Sequence, residues 1–333
     1  MSKNILKIMS LTFLALAAVA CYDDYTGDYS LVAAGFANQT DVRSVIVGEG
    51  MSFSTGVALG GTVENDEDRY ITIATDYSLV NASVLSAMKS HTFQYISDLM
   101  SHVSSISALP ANVYELESEG RHTGQVLIPK GSHMGKITVR IDSAAFLADA
   151  GRVYPKEVLP LRLTDGNGTT LMEGRETSVI GVRYENMLFG NWYHGGYADK
   201  TDALGSPIGR DTYYTSVPQA ENLVWTLTTV APFELTANAV GQEFSGSTAQ
   251  MKLTLNSDDT ITISSVPGAS YTVEPDGESR FVRSRLLQDR KIILNYKYSS
   301  GATTYHAHDT LTFRNRIRDG VNEWQDENSA HYE

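Results

Sequence analysis

Aromatic side chains beside polar turns are the residues of this 333-residue sequence best suited to bind a ligand. A pyranose ring presents a C–H face that packs on an aromatic ring, while its hydroxyls pair with Asp, Asn, Gln or Arg. All three tryptophans lie beyond residue 185. The candidate ligand-binding residues are therefore Tyr193, Tyr197, Tyr213, Tyr214, Trp225 and Trp324.

Four of these candidates are tyrosines in glycine-rich or polar segments. Tyr193 and Tyr197 flank Gly195-Gly196, which would line the mouth of a barrel. Tyr213 and Tyr214 are adjacent, and neighbouring residues on a strand point to opposite faces. One of this pair is therefore expected to be exposed.

Both candidate tryptophans have a structural alternative. Trp225 shares a strand face with Leu223 and Leu227, which favours burial in a core over stacking on a ligand. Trp324 lies near the C-terminus, where it could equally close a barrel.

Catalytic and metal-binding patterns are weak. His306 and His308 would share one strand face, as in a zinc site, but no third ligand is identifiable and Asp309 points the other way. The sequence has no Gly-x-Ser-x-Gly elbow, P-loop or dinucleotide fingerprint. We therefore expect no enzyme activity, no cofactor and no metal.

Composition excludes several classes of function. Thirty-nine acidic residues face 26 basic ones, a net charge of −13, which argues against a nucleic-acid partner. One cysteine excludes an internal disulfide, a cysteine zinc site and an iron–sulfur cluster.

The N-terminus predicts export and lipid anchoring. Residues 1–20 combine a basic start with the apolar run Leu11–Ala20, which is too short to span a membrane and fits a cleavable signal peptide. Cys21 follows Ala18-Val19-Ala20, which resembles a bacterial lipobox, so Cys21 is the predicted lipidation site. The alternative is an ordinary signal peptide with a coincidental cysteine.

A short tether, residues 21–30, would follow the lipid. Its acidic stretch Tyr22–Tyr25 resembles the surface-export signal of Bacteroidota lipoproteins, although it could also be a solvated linker. The predicted location is the outer membrane, facing the cell surface.

The mature chain predicts an all-β fold in two domains. Residues 31–184 contain strand patterns such as Ile71–Ile73 and Ile137–Ile141, and one helix within Val84–Ser104 that Asn81 or Ser83 would cap. Pro160 within Val158–Leu163 predicts an edge or interrupted strand.

Residues 186–333 alternate more regularly. Met251–Leu255, Ile292–Tyr298 and Tyr305–Phe313 place apolar residues on one face and are separated by turns. Such a run of hairpins predicts an antiparallel meander that closes into a β-barrel.

Two resemblances cover nearly all of the mature chain. Leu109–Tyr114, Val126–Gly131 and Val158–Leu161 resemble the immunoglobulin-like N-terminal domain of a Bacteroidota surface-lipoprotein family. Gly190-Asn191-Trp192 and Asp309–Arg316 resemble the lipocalin-like domain often paired with it. This second resemblance implies that a late-strand arginine, Arg314 or Arg316, covers Trp192.

The family implies a surface location and a link to glycans, but no catalytic residue. The leading hypothesis is a lipid-anchored, non-catalytic glycan-binding protein of a polysaccharide-utilisation system, with an outer-membrane glycan transporter as a possible partner. One alternative is a structural or adhesive surface protein that contacts proteins or host matrix. Another is a carrier of a small ligand in the barrel lumen.

Overall fold

The computed structural model describes residues 31–118, 120, 122, 124–213, 221–244 and 248–325. The predicted signal peptide, the tether with Cys21, and Tyr214 lie outside the described residues. Among the helices of the described ranges, none has the length and apolar run that a membrane crossing needs.

The first domain is a sandwich of two β-sheets, with its core between them. The strands are Ala33–Phe36 (β1), Thr40–Val47 (β2), Ser52–Gly60 (β3), Arg69–Thr75 (β4), Ser107–Ala108 (β5), Tyr114–Ser118 (β6), Gln125–Ile128 (β7), Met134–Ile141 (β8), Glu157–Asp165 (β9), Thr170–Leu171 (β10) and Thr177–Asn186 (β11). One sheet has the order β10-β1-β3-β8-β6, and the other β2-β11-β9-β4-β7, with β5 beside β9.

Alternation along the strands produces this core. In β8, Ile137, Val139 and Ile141 are buried while the residues between them are more exposed. β-Branched side chains of this kind pack well on a pleated surface. In contrast, β11 is buried along most of its length because it is an inner strand covered on both faces.

Pro160 lies in an inner strand and not at an edge, which corrects the sequence prediction. β9 lies between β11 and β4, and Pro160 pairs with Val179 of β11. On the opposite side, β5 pairs with β9 before Pro160 and β4 pairs with it after Pro160. The Pro160 carbonyl accepts from the backbone N–H of Asp76 on that side. The missing N–H of proline therefore falls in the gap between two partner strands, where it costs no ladder bond.

Two short helices replace the single predicted helix. They are Ala82–Lys89 (α1) and Gln94–Ser101 (α2), and a third, Ser143–Leu147 (α3), follows β8. Asn81 caps α1 by accepting from a backbone N–H at 3.1 Å. The Ser90 hydroxyl donates to the carbonyl four residues earlier at 2.9 Å, and α1 ends there. The helices cover the outer face of β2 with Met88, Ile96 and Met100, which pack against Val42.

The second domain is a curled antiparallel sheet that nearly closes into a barrel. Its order is β19-β18-β15-β14-β12-β23-β22-β20, and a single bridge between Thr260 and Arg280 connects the two ends. The strands are Gly190–Thr201 (β12), Pro207–Thr212 (β13), Val224–Ala231 (β14), Glu234–Ala237 (β15), Ala239–Val240 (β16), Glu243–Phe244 (β17), Met251–Leu255 (β18), Ile261–Ser265 (β19), Val273–Pro275 (β20), Arg280–Val282 (β21), Lys291–Ser300 (β22), Thr303–Arg318 (β23) and Val321–Glu323 (β24). The prediction of an all-β chain is confirmed.

Side chains fill the interior of this barrel. They form one buried cluster that includes Trp192, Trp225, Leu253, Leu294 and Phe313. This packing argues against the hypothesis of a small-ligand carrier, which requires an open lumen of several hundred cubic ångströms.

Trp192 is buried at the start of β12, but neither predicted arginine covers it. Its indole Nε1 donates to the Leu188 carbonyl at 3.0 Å, and the Phe313 ring meets it edge-on at 5.3 Å. The two arginines extend to neighbouring rings instead, Arg314 over Tyr193 and Arg316 over Phe189.

A buried ion cluster joins the two domains. Glu49, in the turn between β2 and β3, lies 2.5 Å from Arg290 and 2.8 Å from Arg316 of the barrel domain. Arg316 also pairs with Glu323 at 2.6 Å. Since Glu49 and both arginines are almost wholly buried, the cluster fixes the sandwich against the barrel.

Candidate ligand-binding site

A cleft of 470 Å³ lies at the end of the barrel where β20 meets β22 and β23. We call it the tyrosine cleft. Its wall combines aromatic rings, hydroxyl groups, a carboxylate and an ammonium group. The lining residues are Ser270, Tyr271, Thr272, Glu274, Lys297, Tyr298, Ser299 and Thr304.

Strand pairing brings the two sides of the cleft together. β20 and β22 are antiparallel, with Val273 opposite Tyr298 and Glu274 opposite Lys297. Cross-strand partners lie on the same face of a sheet, so Glu274 and Lys297 share the outer face while Val273 and Tyr298 share the inner one. The pairing therefore joins residues that are more than twenty positions apart in the chain.

The segment before β20 is held by two polar side chains. Gln250, which is buried, accepts a hydrogen bond from the backbone N–H of Ser270 at 3.1 Å. The Ser265 hydroxyl bonds to both the N–H and the carbonyl of Val273 at 2.9 Å. These contacts fix the position of Tyr271 between them.

Three tyrosine rings pack on one another at this end of the barrel, and two of them, Tyr271 and Tyr298, belong to residues that line the cleft. Tyr298 stacks on Tyr305 with centroids 4.9 Å apart and an interplanar angle of 8°. Tyr271 meets Tyr298 edge-on at 5.3 Å. Burial raises the pKa of Tyr298 and the nearby Asp309 adds to the effect, so its phenol stays protonated. Tyr271 is partly buried against the barrel core and is one of the residues that line the cleft.

The charged part of the site is accessible to water. Lys297 Nζ lies 3.1 Å from Glu274 Oε2, and both side chains are more than one third exposed. An ion pair in such a setting can exchange part of its contact for hydrogen bonds to a hydroxyl-rich ligand.

A buried polar network supports the cleft from inside the barrel. The Tyr296 hydroxyl donates to Asp309 Oδ2 at 2.6 Å and accepts from the Gly241 N–H at 2.6 Å. His194 Nε2 lies 3.0 Å from Asp309 Oδ1, within ion-pair distance but without hydrogen-bond alignment. Burial raises the pKa of Tyr296 strongly, and the Asp309 carboxylate adds to the shift. The phenol therefore remains a donor.

Gly241 connects this network to the cleft. Its φ of +53° is left-handed, and a Cβ there would come within 2.5 Å of the Tyr298 hydroxyl and 3.3 Å of the Tyr213 hydroxyl. The Tyr213 ring is buried and tilted against His194 at 4.9 Å. Tyr213 is thus buried beside Gly241 and His194 and does not lie on an open surface.

Trp225 is fully buried and stacks on His194 at 4.6 Å. It therefore has no face for an external ligand. Its position is that of a core residue, which was the alternative to ligand stacking. Its Nε1 is buried and has no hydrogen-bond partner among the residues that the structure describes.

The other predicted aromatics lie on the outside of the barrel. Tyr197 has the Arg210 guanidinium 3.9 Å from its ring centroid and His308 at 4.7 Å, so neighbours already cover much of it. Tyr193 lies under Arg314. Trp324 is 59% exposed just after β24. Of the predicted aromatics that the structure describes, none belongs to the lining of the tyrosine cleft.

Sequence reasoning missed Tyr271 and Tyr298 as ligand-binding candidates. Tyr298 belongs to an alternating strand and has the pattern of a core residue. Tyr271 follows the polar turn Gly268–Ser270, which was a usable signal for an accessible ring.

No set of three or more metal-ligating side chains converges within the described ranges. His306 Nδ1 lies 2.6 Å from Asp276 Oδ2, and His308 Nδ1 lies 2.8 Å from Asn295 Oδ1. Each imidazole therefore has its own polar partner on the outer face.

Known proteins resemble this chain in its N-terminal sequence and in its fold. A family model described as "-like, N-terminal domain" matches residues 25–170. A Bacteroides ovatus structure of unknown function is 19% identical, with a TM-score of 0.59 over 90% of this chain and 98% of that one. This similarity shows a shared fold.

Two further structures align at lower scores. An auxiliary nutrient-binding protein from Bacteroides thetaiotaomicron is 15% identical, with a TM-score of 0.39 over 84% of this chain and 92% of that one. A two-domain protein of unknown function from Bacteroides fragilis is 12% identical, with a TM-score of 0.30 over 94% and 93%. The search of curated proteins gave no match. The predicted resemblance to a Bacteroidota two-domain family of unknown function is confirmed.

Proposed function

We propose that this protein is a lipid-anchored, non-catalytic protein of the cell surface that binds glycans as part of a polysaccharide-utilisation system. The observation that carries the proposal is the tyrosine cleft, whose lining combines a partly exposed tyrosine with hydroxyl, carboxylate and ammonium groups. Its volume of 470 Å³ is within the range of small-molecule sites.

The chemistry of the cleft matches that of a sugar. The Tyr271 ring would pack against the C–H face of a pyranose, and Glu274 and Lys297 would accept from and donate to its hydroxyls. Few groups converge there, so the affinity of this single site is expected to be modest.

Lipidation of Cys21 would place the protein at the membrane, with the sandwich as a spacer below the barrel. Acyl chains contribute about 0.8 kcal/mol per buried methylene, so a multiply acylated cysteine anchors a protein stably without a spanning helix. Metabolic labelling with a palmitate analogue should mark the mature protein and leave Cys21→Ser unmarked.

Affinity electrophoresis of the intact chain in non-ionic detergent tests glycan binding. Gels would contain neutral or acidic polysaccharides of plant, host and microbial origin. We expect retardation on at least one of them, and Tyr271→Ala should weaken it by about tenfold, equivalent to roughly 1.4 kcal/mol.

Tyr77→Ala is the matched control, because Tyr77 is an exposed tyrosine of the sandwich domain, away from the cleft. Equal retardation of Tyr271→Ala and Tyr77→Ala would reject the cleft as the site. Free migration of the wild-type chain on every polysaccharide would reject glycan binding itself.

A further inference from the structure

The outer face of the barrel carries a second group of side chains suited to carbohydrate. We infer that Asn191, Asn315, Asn322 and Trp324, here called the asparagine patch, form a second binding surface for an uncharged, hydroxyl-rich segment of a polysaccharide. The inference rests on the proposed function and adds a site to it.

Three amides form a connected row across β12, β23 and β24. Asn191 pairs with Asn315 in the sheet register, and Asn191 Nδ2 donates to Asn315 Oδ1 at 3.1 Å. Asn315 Nδ2 in turn donates to Asn322 Oδ1 at 2.7 Å. At the start of the row, the Thr226 hydroxyl donates to Asn191 Oδ1 at 2.9 Å. Each amide is therefore held in one orientation before any ligand arrives.

The row ends at an accessible donor. Asn322 is exposed, and its Nδ2 donates no hydrogen bond to any residue that the structure describes. Asn and Gln amides supply two N–H donors on one nitrogen, which suits the vicinal hydroxyls of a sugar.

Trp324 supplies the aromatic surface next to this donor. Arg316 pairs with Glu323 across the β23–β24 hairpin, and extending that register by one step places Trp324 opposite Asn315. Side chains alternate along a strand, so Asn322 and Trp324 lie on the face opposite to that of Glu323. The indole is 59% exposed, a large apolar area beside oriented amides.

The distribution of charge identifies the class of ligand. The four members of the patch are uncharged, and the charged residues Arg316, Arg318 and Glu323 of the hairpin pair with one another. Glu323 lies 2.6 Å from Arg316 and 2.5 Å from Arg318. A neutral sugar segment, which needs stacking and amide hydrogen bonds but no counter-ion, fits this surface better than a uronate.

The two sites lie towards opposite ends of β23, with Thr304 in the tyrosine cleft and Asn315 in the patch. Eleven residues of extended strand span up to roughly 36 Å. A polysaccharide that reaches both sites gains avidity, whereas a short oligosaccharide occupies one site at a time.

Affinity electrophoresis of the intact chain in starch, xyloglucan, galactomannan and yeast mannan gels tests the inference. Trp324→Ala and Asn322→Ala should each weaken binding, by about tenfold, to the polysaccharide that slows the wild-type chain. Val321→Ala should not, although Val321 is equally exposed on the other face of the same hairpin. Thermal melting of each variant verifies that the barrel remains folded.

The outcomes separate this inference from the proposed function. If Tyr271→Ala loses binding while Trp324→Ala and Asn322→Ala match Val321→Ala, the patch is rejected and the cleft stands. If Trp324→Ala loses binding and Tyr271→Ala does not, the patch stands and the cleft is rejected. If the wild-type chain is retained on none of the four polymers, the patch is rejected as a neutral-glycan site, and the acidic polysaccharides then decide the proposed function.

Discussion

Asp309 is a fully buried carboxylate inside the barrel, and its neighbours show how the protein tolerates it. The Tyr296 hydroxyl donates to one carboxylate oxygen, and the His194 imidazole lies 3.0 Å from the other. Tyr296 also accepts from Gly241, so one phenol serves both the carboxylate and the turn. Buried polar groups that lose such partners are costly.

Tyr296→Phe should therefore destabilise the barrel without changing its shape. The substitution removes the hydrogen bonds that the Tyr296 hydroxyl makes with Asp309 Oδ2 and with the Gly241 N–H. Leaving these buried groups unpaired should lower the free energy of unfolding by about 1–3 kcal/mol. Urea unfolding followed by tryptophan fluorescence measures this, because all three tryptophans belong to the barrel domain. Tyr77→Phe, at an exposed tyrosine, should unfold at the wild-type urea concentration. An unchanged midpoint for Tyr296→Phe would show that the network adds nothing to stability.

At the level of strands and turns, periodicity predicts much of the fold. The alternation in Met251–Leu255 coincides with β18, because its odd residues face the core. Pro160 misled the prediction because its effect depends on which strands flank it, and that is a property of the sheet. Tyr271 and Tyr298 meet only through the pairing of β20 with β22, a non-local register that turn residues alone do not specify.

Gly241 is the turn residue on which the geometry of the tyrosine cleft depends. Gly241→Ala adds a Cβ 2.5 Å from the Tyr298 hydroxyl and forces a left-handed alanine. We expect a loss of stability and weaker retardation on the polysaccharide that the wild type binds. Gly205→Ala is the matched control, because its φ of +83° is also left-handed but its Cβ would meet open space. Equal effects of the two substitutions would mean that backbone strain alone matters.

At the level of the whole molecule, the ion cluster around Glu49 decides how the domains are held. Burial by itself would raise the pKa of Glu49, but its pairs and hydrogen bonds with Arg316 and Arg290 outweigh burial and lower that pKa. The sequence gives no sign of this contact, since Glu49 occupies a polar turn, Gly48–Gly50, and is 267 residues from Arg316. Only the packing of two domains brings these charges together.

Glu49→Gln should weaken the docking of sandwich and barrel. Two nearly buried arginines would lose their shared carboxylate, at a cost of about 3–5 kcal/mol near pH 7. The folded-state pKa of Glu49 is lowered, so its stabilisation is complete above its ordinary value of about 4.3 and disappears as the pH falls through the folded-state pKa. The difference in unfolding free energy between wild type and variant should therefore shrink between pH 5 and about pH 3. Urea unfolding by tryptophan fluorescence at several pH values measures it, with Glu117→Gln, in an exposed pair with Arg140, as the control. A constant difference across that pH range would contradict an ionised, paired Glu49.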